Sequence, residues 1–377
     1  MKQLKITLIL MLSIAALGLC ALMGLFLFHG SAVFSGSQQD YALVLEKEID
    51  AQRIRSLQIT MSFEDICFIQ GSGDTIQIRE YANYTPKSSQ LPRVEDTGSE
   101  LLIKGARIHF FSLFSLRSRN AYLEVSLPPR LFESLDSLQA QTASGDITAA
   151  FLLQPRERLS ASTTSGDIIL DTIAGNTHVS STSGGIWVNQ VAGDITASTT
   201  SGEIIIDSIN GNTDISSTSG DITLGEVEGN LELSSTSGEI RLRAGHGSLL
   251  ADTTSGDIIL DRLDGDFRID TTSGEVSIID GNGYGQADTV SGDVYLALTA
   301  LLGDLSISTT SGEVVLNLPE TSSFTLDYDS NSGDCSTFFD DVLSFNQKGS
   351  QAKGTYGSGD HYLAVSTVSG DLWIQAK

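Results

Sequence analysis

Thr163-Thr-Ser-Gly-Asp-Ile-Ile-Leu-Asp-Thr-Ile-Ala-Gly-Asn-Thr-His-Val-Ser180 is followed at once by Ser181-Thr-Ser-Gly-Gly-Ile-Trp-Val188, the same phrase begun again. Its kernel is SG[DE]-φ-x-φ, where φ is apolar. The glycine of the SG pair recurs at Gly166, Gly184, Gly202, Gly220, Gly238, Gly256, Gly274 and Gly292, a constant step of 18 residues. A fixed period of this length is the mark of a stacked repeat, in which no unit can bury its apolar face alone. The step loosens to 21 from Gly145 to Gly166, to 20 from Gly292 to Gly312 and to 21 from Gly312 to Gly333. Gly370 carries the final turn.

A second glycine follows nine residues after the first, at Gly175, Gly193, Gly211, Gly229, Gly247, Gly265 and Gly283. Each coil is therefore two nine-residue arms with a glycine at each corner, where the expected reason is access to positive φ. In the first arm the second and fourth positions after the glycine are apolar, from Ile168/Leu170 and Ile186/Val188 to Val276/Ile278 and Val294/Leu296. A period of two places them on one strand face. Val179, Ala197, Ile215, Leu233, Ala251 and Ile269 supply the inward side of the second arm. The reading is an all-β, single-stranded β-solenoid of β-helix or β-roll type over residues 141–377, with 18-residue coils.

Upstream, residues 41–140 carry strand-like runs without a fixed period, among them Leu57-Gln-Ile59, Ile66-Cys-Phe-Ile69 and Leu101-Leu-Ile103. Gly71-Ser-Gly-Asp74 previews the later corner, so this region reads as irregular leading coils of the same solenoid, with a separate small β-domain as the alternative. Arg107 to Arg119 is basic and rich in Phe. It predicts a hairpin with a buried Phe face, the other reading being contact with an anionic membrane surface.

The chain begins differently. Ile6 to Phe28 holds no charge over 23 residues and follows Lys2 and Lys5. At roughly 1.5 Å per residue such a run spans a hydrocarbon core of about 30 Å as a helix. The basic start predicts a cytoplasmic N-terminus and an extracytoplasmic remainder. The expectation is an N-terminal transmembrane helix serving as a signal-anchor over residues 1–33, then a polar linker over residues 34–40. A cleaved signal peptide fits less well, because the apolar run exceeds the usual roughly 7–15 residues.

Charge narrows the partners. The chain has 22 Lys+Arg against 47 Asp+Glu, a net charge of −25. Such a surface repels phosphate backbones and argues against nucleic acid. Three cysteines make no disulfide framework, with Cys20 in the apolar run and Cys67 and Cys335 as the one pair left to the rest. The five histidines follow no motif and GxSxG is absent. No catalytic residue, metal or cofactor is assigned.

Stacking turns each repeat position into a column with a spacing of about 4.8 Å. One column is acidic: Asp146, Asp167, Glu203, Asp221, Glu239, Asp257, Glu275, Asp293, Glu313 and Asp334, with Gly185 in place of the acid in one coil. Calcium could relieve its repulsion, but the double-corner GGxGxD signature of calcium β-rolls is missing, and turn capping is the preferred reading. Two hydroxyl columns run through Thr163/Thr164, Ser181/Thr182 and Thr199/Thr200; one should face inward as a hydrogen-bonded ladder and the other outward. The outward position of the first arm reads Ile169, Trp187, Ile205, Thr223, Arg241, Ile259, Ser277 and Tyr295. Apolar and aromatic side chains on an exposed face suggest a partner-binding strip, with Ile169, Trp187, Ile205, Ile259 and Tyr295 as its ligand-binding residues.

The motif T-[ST]-SG-[DE]-[IV], as in Thr163 to Ile168 and Thr253 to Ile258, resembles a bacterial family known as "putative adhesins", whose function is undefined. The ending Tyr356-Gly-Ser-Gly-Asp-His-Tyr-Leu-Ala-Val-Ser-Thr-Val-Ser-Gly-Asp-Leu-Trp-Ile374 is similar to that family's closing coils. The Leu127-Pro128 step before the first SGD is similar to its leading region. The resemblance covers roughly Leu43 to Lys377. It implies a cell-envelope role for a membrane-anchored member and transfers no catalytic residue. The expected function is thus a non-enzymatic, membrane-anchored solenoid outside the cell, held to the membrane through Ile6 to Phe28. Its partner would be an envelope protein, a glycan or a surface ligand. The alternatives are an accessory of envelope-stress signalling and a polysaccharide-acting β-helix enzyme.

Overall fold

The computed structural model describes residues 41–106, 120–339, 343–345 and 350–377. The expected anchor and linker, and the basic segment Arg107 to Arg119, lie outside the described residues. Among the described residues no helix is long and apolar enough to cross a membrane. Ala42–Lys377 forms one compact unit.

Each regular coil is a long arm and a short arm. The long arm is a seven-residue strand such as Ile168–Ala174, Ile186–Ala192 or Ile204–Asn210. The short arm is a strand of five or six residues such as Asn176–Ser181 or Ile195–Thr199. Long arms pair in parallel with long arms, Ile168 opposite Ile186 and Ile186 opposite Ile204, and short arms with short arms. One repeat step therefore equals one rung of the ladder, and the chain is an all-β solenoid.

The period-two pattern decides what lies inside. Ile186, Ile204, Ile222, Ile240 and Ile258 are fully buried in one column, and Val191, Ile209, Val227 and Leu263 line the same core after the bend in the long arm. From the short arm come Val179, Ala197, Ile215, Leu233 and Ala251. The short arm also buries a column absent from the expected core: Leu159, Thr177, Ile195, Thr213, Leu231, Leu249 and Phe267. At about 25 cal/mol per Å² of apolar surface removed from water, this thin ribbon is held by repetition and not by any single large cluster.

Close stacking requires glycine at both corners, since a Cβ on Gly211 would overlap the carbonyl of Gly193 just as one would at the SG corner. Positive φ is a second reason at one corner only, which corrects a single appeal to it. At the second corner the reading holds from Gly175, with φ 116°, through Gly229, with φ 140°, to Gly265. It does not hold at Gly283, where Gly285 takes the positive φ instead. Gly73 and Gly359 in the end segments have positive φ, but at the SG corners of the stacked coils, from Gly145 to Gly333 and at Gly370, no glycine does. There a Cβ on Gly202 would overlap the carbonyl of Gly184, and one on Gly166 would overlap that of Gly145. Stacked backbones pass too close at this corner for any side chain.

Both ends of the ladder depart from chain order. At the start, Ser56–Thr60 and Asp65–Gln70 pair in parallel with Ser137–Gln141 and Ile147–Leu153, so they continue the regular ladder. The coil beyond them comes from later residues, Glu100–Lys104 and Ala121–Leu127. Antiparallel strands then close the edge: Thr75–Ala82 on Ala121–Leu127, and Ala42–Asp50 on Thr75–Ala82. The other end does the same in reverse. His361–Thr367 inserts between Leu305–Thr309 and Phe324–Ser330, while Leu372–Ala376 inserts between Val314–Leu318 and Cys335–Thr337. Gln351–Tyr356 lies antiparallel on Phe324–Ser330 and closes that edge. Phe324, Phe338, Phe339 and Tyr356 pack there with ring centroids 5.0–5.8 Å apart. An uncovered parallel edge would present unpaired backbone groups and invite aggregation; antiparallel strands cover the rungs Ala121–Leu127 and Phe324–Ser330. Cys67 and Cys335 lie in strands at opposite ends of this ladder.

Candidate functional site

The strip expected on the outward face of the long arm is one unbroken file. Ile169 is opposite Trp187, Trp187 opposite Ile205, Ile205 opposite Thr223, and Thr223 opposite Arg241. Arg241 is opposite Ile259, then Ser277 and Tyr295 follow. Every one of these residues is half-buried. Among the described residues no strand lies over them; the shielding comes from neighbours along the file.

Trp187 shows how the file is built. A Cβ on Gly185 would overlap the indole ring of Trp187, so the ring folds back over the corner where other coils carry an acid. The missing acid in this coil is thereby explained: the indole occupies its place. Its Nε1 is buried without a hydrogen-bond partner, so the surface it offers is hydrocarbon and ring face. Tyr295 accepts a hydrogen bond at its hydroxyl from Asn317 Nδ2 at 2.8 Å, which fixes that ring at the far end of the file. Arg241 sits between acids, 3.7 Å from Glu239 and 3.6 Å from Asp261.

The file extends past the residues expected from the sequence. Thr148 and Cys67 continue it at one end, Val315 and Trp373 at the other. Both tryptophans of the chain thus stand in one column. The signal was present in Ser369-Gly-Asp-Leu-Trp373, whose tryptophan occupies the x of SG[DE]-φ-x-φ. It was hidden because the closing coil enters the ladder out of chain order.

The acidic column runs beside the strip, and its aspartates bond from coil to coil. Asp221 Oδ1 accepts the N–H of Glu239, Asp257 Oδ1 that of Glu275, and Asp293 Oδ1 that of Glu313, each at 2.8 Å. The amides they cap lie on the next coil, not in their own turn. Burial pushes the Glu203 and Glu239 carboxyls up, and the charge of Asp221 adds to both, while Arg241 opposes the rise at Glu239.

Of the two hydroxyl columns, Thr163, Ser181, Thr199, Ser217, Ser235 and Thr253 face inward and their neighbours Thr164, Thr182, Thr200, Thr218, Thr236 and Thr254 face outward. The inward hydroxyl accepts the N–H of the SG glycine three residues on: Thr163 from Gly166 at 3.1 Å, Ser217 from Gly220 at 2.9 Å. Where the geometry allows, it donates to the glycine carbonyl of the preceding coil, as Thr163 does to Gly145 at 3.1 Å.

Residues 54–269 and 262–375 match the family described as Toastrack DUF4097. No curated protein matches the chain. Among solved structures it is similar to a "putative cell adhesion protein" from Clostridium sporogenes, at 11% identity and a TM-score of 0.20, over 90% of this chain and 100% of that one. It is also similar to a "putative adhesin" from Parabacteroides merdae, at 14% identity and a TM-score of 0.31, over 67% of this chain and 95% of that one. A third, described as a "putative lipid binding protein" from Parabacteroides distasonis, is 15% identical with a TM-score of 0.28, over 71% of this chain and 96% of that one.

Proposed function

The chain belongs to the Toastrack DUF4097 family, and on that premise we propose that it is a non-enzymatic binding scaffold of the cell envelope. In this reading it is anchored through Ile6 to Phe28 with its bulk outside the cytoplasm. It captures an envelope protein, glycan or surface ligand on the long-arm strip. The observation that carries the reading is the strip itself: a registered file of half-buried side chains containing Ile169, Trp187, Ile205, Ile259, Tyr295 and Trp373, with no strand over it among the described residues. Apolar and aromatic surface held rigid by a ladder loses little entropy on binding, which favours capture by such a face. Much of the rest of the coil exterior is repetitive and acidic, which suits solubility.

The test is Trp187→Ala combined with Ile205→Ala in the full-length protein. Side chains on an outward file contribute little to the core, so circular dichroism and melting should stay close to wild type. Capture of partners by photo-crosslinking on intact cells should fall at least tenfold. Capture equal to wild type from a folded double variant would reject the strip as the binding face.

A further inference from the structure

A second chemical site stands on a different part of the coil exterior, at the end of the long arm. Glu226 and Glu228 are two apart on the strand Ile222–Glu228, so both point outward on the same side. His246 lies on the next coil, directly opposite Glu228, and Ala244 lies opposite Glu226. The alanine leaves room above the Glu226 carboxylate. Asp264, one coil further on, is opposite His246. The ligand atoms of Glu226, Glu228 and His246 all lie within 4.8 Å of one another.

The two nitrogens of His246 have different surroundings. Nδ1 is 3.1 Å from Asp264 Oδ2, and Nε2 is 4.0 Å from Glu228 Oε1. A carboxylate against Nδ1 holds the ring proton on that nitrogen and leaves the Nε2 lone pair facing the two glutamates. This is the arrangement by which metal-ligating histidines are oriented from behind. We propose that Glu226, Glu228 and His246 Nε2 form a three-ligand site for a divalent transition metal such as Zn²⁺, with Asp264 as its positioning residue. One imidazole and two carboxylates are ligands that Zn²⁺ takes readily, at about 2.0–2.2 Å each. Those bond lengths place tetrahedral ligand atoms roughly 3.4 Å apart. Glu226 and Glu228 are both exposed, which leaves their side chains free to rotate toward that spacing. A purely oxygen-ligated calcium site would make no use of the histidine.

Glu228, His246 and Asp264 are successive members of one column whose other members are Ala174, Ala192, Asn210 and Asn282, so three titratable residues meet at one point of an otherwise neutral column. The three ligands are spread over two coils, so no short sequence motif marks them.

Titration of the metal-free full-length protein with Zn²⁺ by calorimetry should give one site per chain. Co²⁺ at the same site should show visible absorption bands of tetrahedral coordination. His246→Ala should weaken Zn²⁺ affinity at least tenfold and remove those bands, while melting without metal stays near wild type. Asp264→Asn should weaken it about tenfold by releasing the ring, whereas Glu313→Gln, on the distant acidic column, should change nothing. Zn²⁺ affinity that is unaltered in His246→Ala would mean diffuse attraction to the acidic surface and would overturn the site. Absence of saturable binding to the wild type would overturn it too.

Discussion

A single side chain at the N-terminal end sets a pH dependence for the whole fold. Glu80 follows Ile76 and Ile78 on the inward face of Thr75–Ala82 and is only 2% exposed, and its Oε2 has no hydrogen-bond partner. Burial, and then the charge of Glu64, push its carboxyl up to about 8. In the unfolded chain it titrates in the usual carboxylate range, so the folded state holds the proton more tightly. Stability is complete below that range, falls as pH rises through it, and levels off once pH passes about 8. At 1.36 kcal/mol per pH unit the loss by pH 7 is on the order of 3 kcal/mol. Glu80→Gln removes the titration with little change of shape. Urea unfolding at pH 5 and pH 8 should show a clear fall for the wild type and a nearly flat response for the variant. Equal falls in both would place the pH dependence elsewhere. Nothing in the sequence marked this residue, since an acid in an alternating strand is ordinarily read as facing water.

The hydroxyl–glycine corner is bonded in each coil from Thr163 to Thr253, though not at Thr271 and Thr289, and where the bond forms its two members support one another. Thr199 Oγ1 accepts the N–H of Gly202 at 3.0 Å and donates to the carbonyl of Gly184 at 3.4 Å. The glycine lets the coils close to this distance, and the hydroxyl satisfies the amide that closure buries. The same bond is made by serine in Ser181 and Ser235. Thr199→Ser should therefore be nearly neutral, whereas Thr199→Val, which keeps the shape, leaves a buried N–H unsatisfied and should cost about 1–3 kcal/mol. Chemical unfolding of the two variants checks this, and equal stability would show that the hydroxyl is dispensable. The sequence displayed this corner plainly, as Thr or Ser three residues ahead of each SG glycine. What it concealed was the geometry: the φ values differ between corners that both carry glycine, and the aspartate caps reach across coils. A repeat reveals which positions are equivalent, but pairing between layers decides what each position touches.

At the scale of the molecule, regularity ends where the chain has to stop. The 18-residue frame from Gly166 to Gly292 translated directly into parallel rungs, because stacking register and sequence period are the same quantity there. The ends obey another demand, the closure of sheet edges, and meet it by folding later or earlier segments outside their chain order. The SG corners at Gly312, Gly333 and Gly370 persist there, but the order in which those coils stack leaves no periodic trace, so the rung on which Trp373 falls follows from the pairing alone. It also separates two kinds of deletion. Removing residues 202–219 takes out one complete coil and joins Ser201 to Gly220, restoring the SGD corner. In a quasi-one-dimensional stack each coil contacts mainly its neighbours, so the shortened solenoid should fold and melt cooperatively within a few degrees of wild type. Removing residues 361–377 is a smaller loss of sequence but takes the strands lying between Leu305–Thr309 and Phe324–Ser330 and between Val314–Leu318 and Cys335–Thr337. The outermost coil and its antiparallel cover would then have nothing to pair with, and a bare parallel edge would face solvent. This truncation should lower the melting temperature sharply and produce concentration-dependent aggregation in light scattering. If it stayed monomeric and as stable as the single-coil deletion, the closing strands would be an appendage and the cap would lie elsewhere.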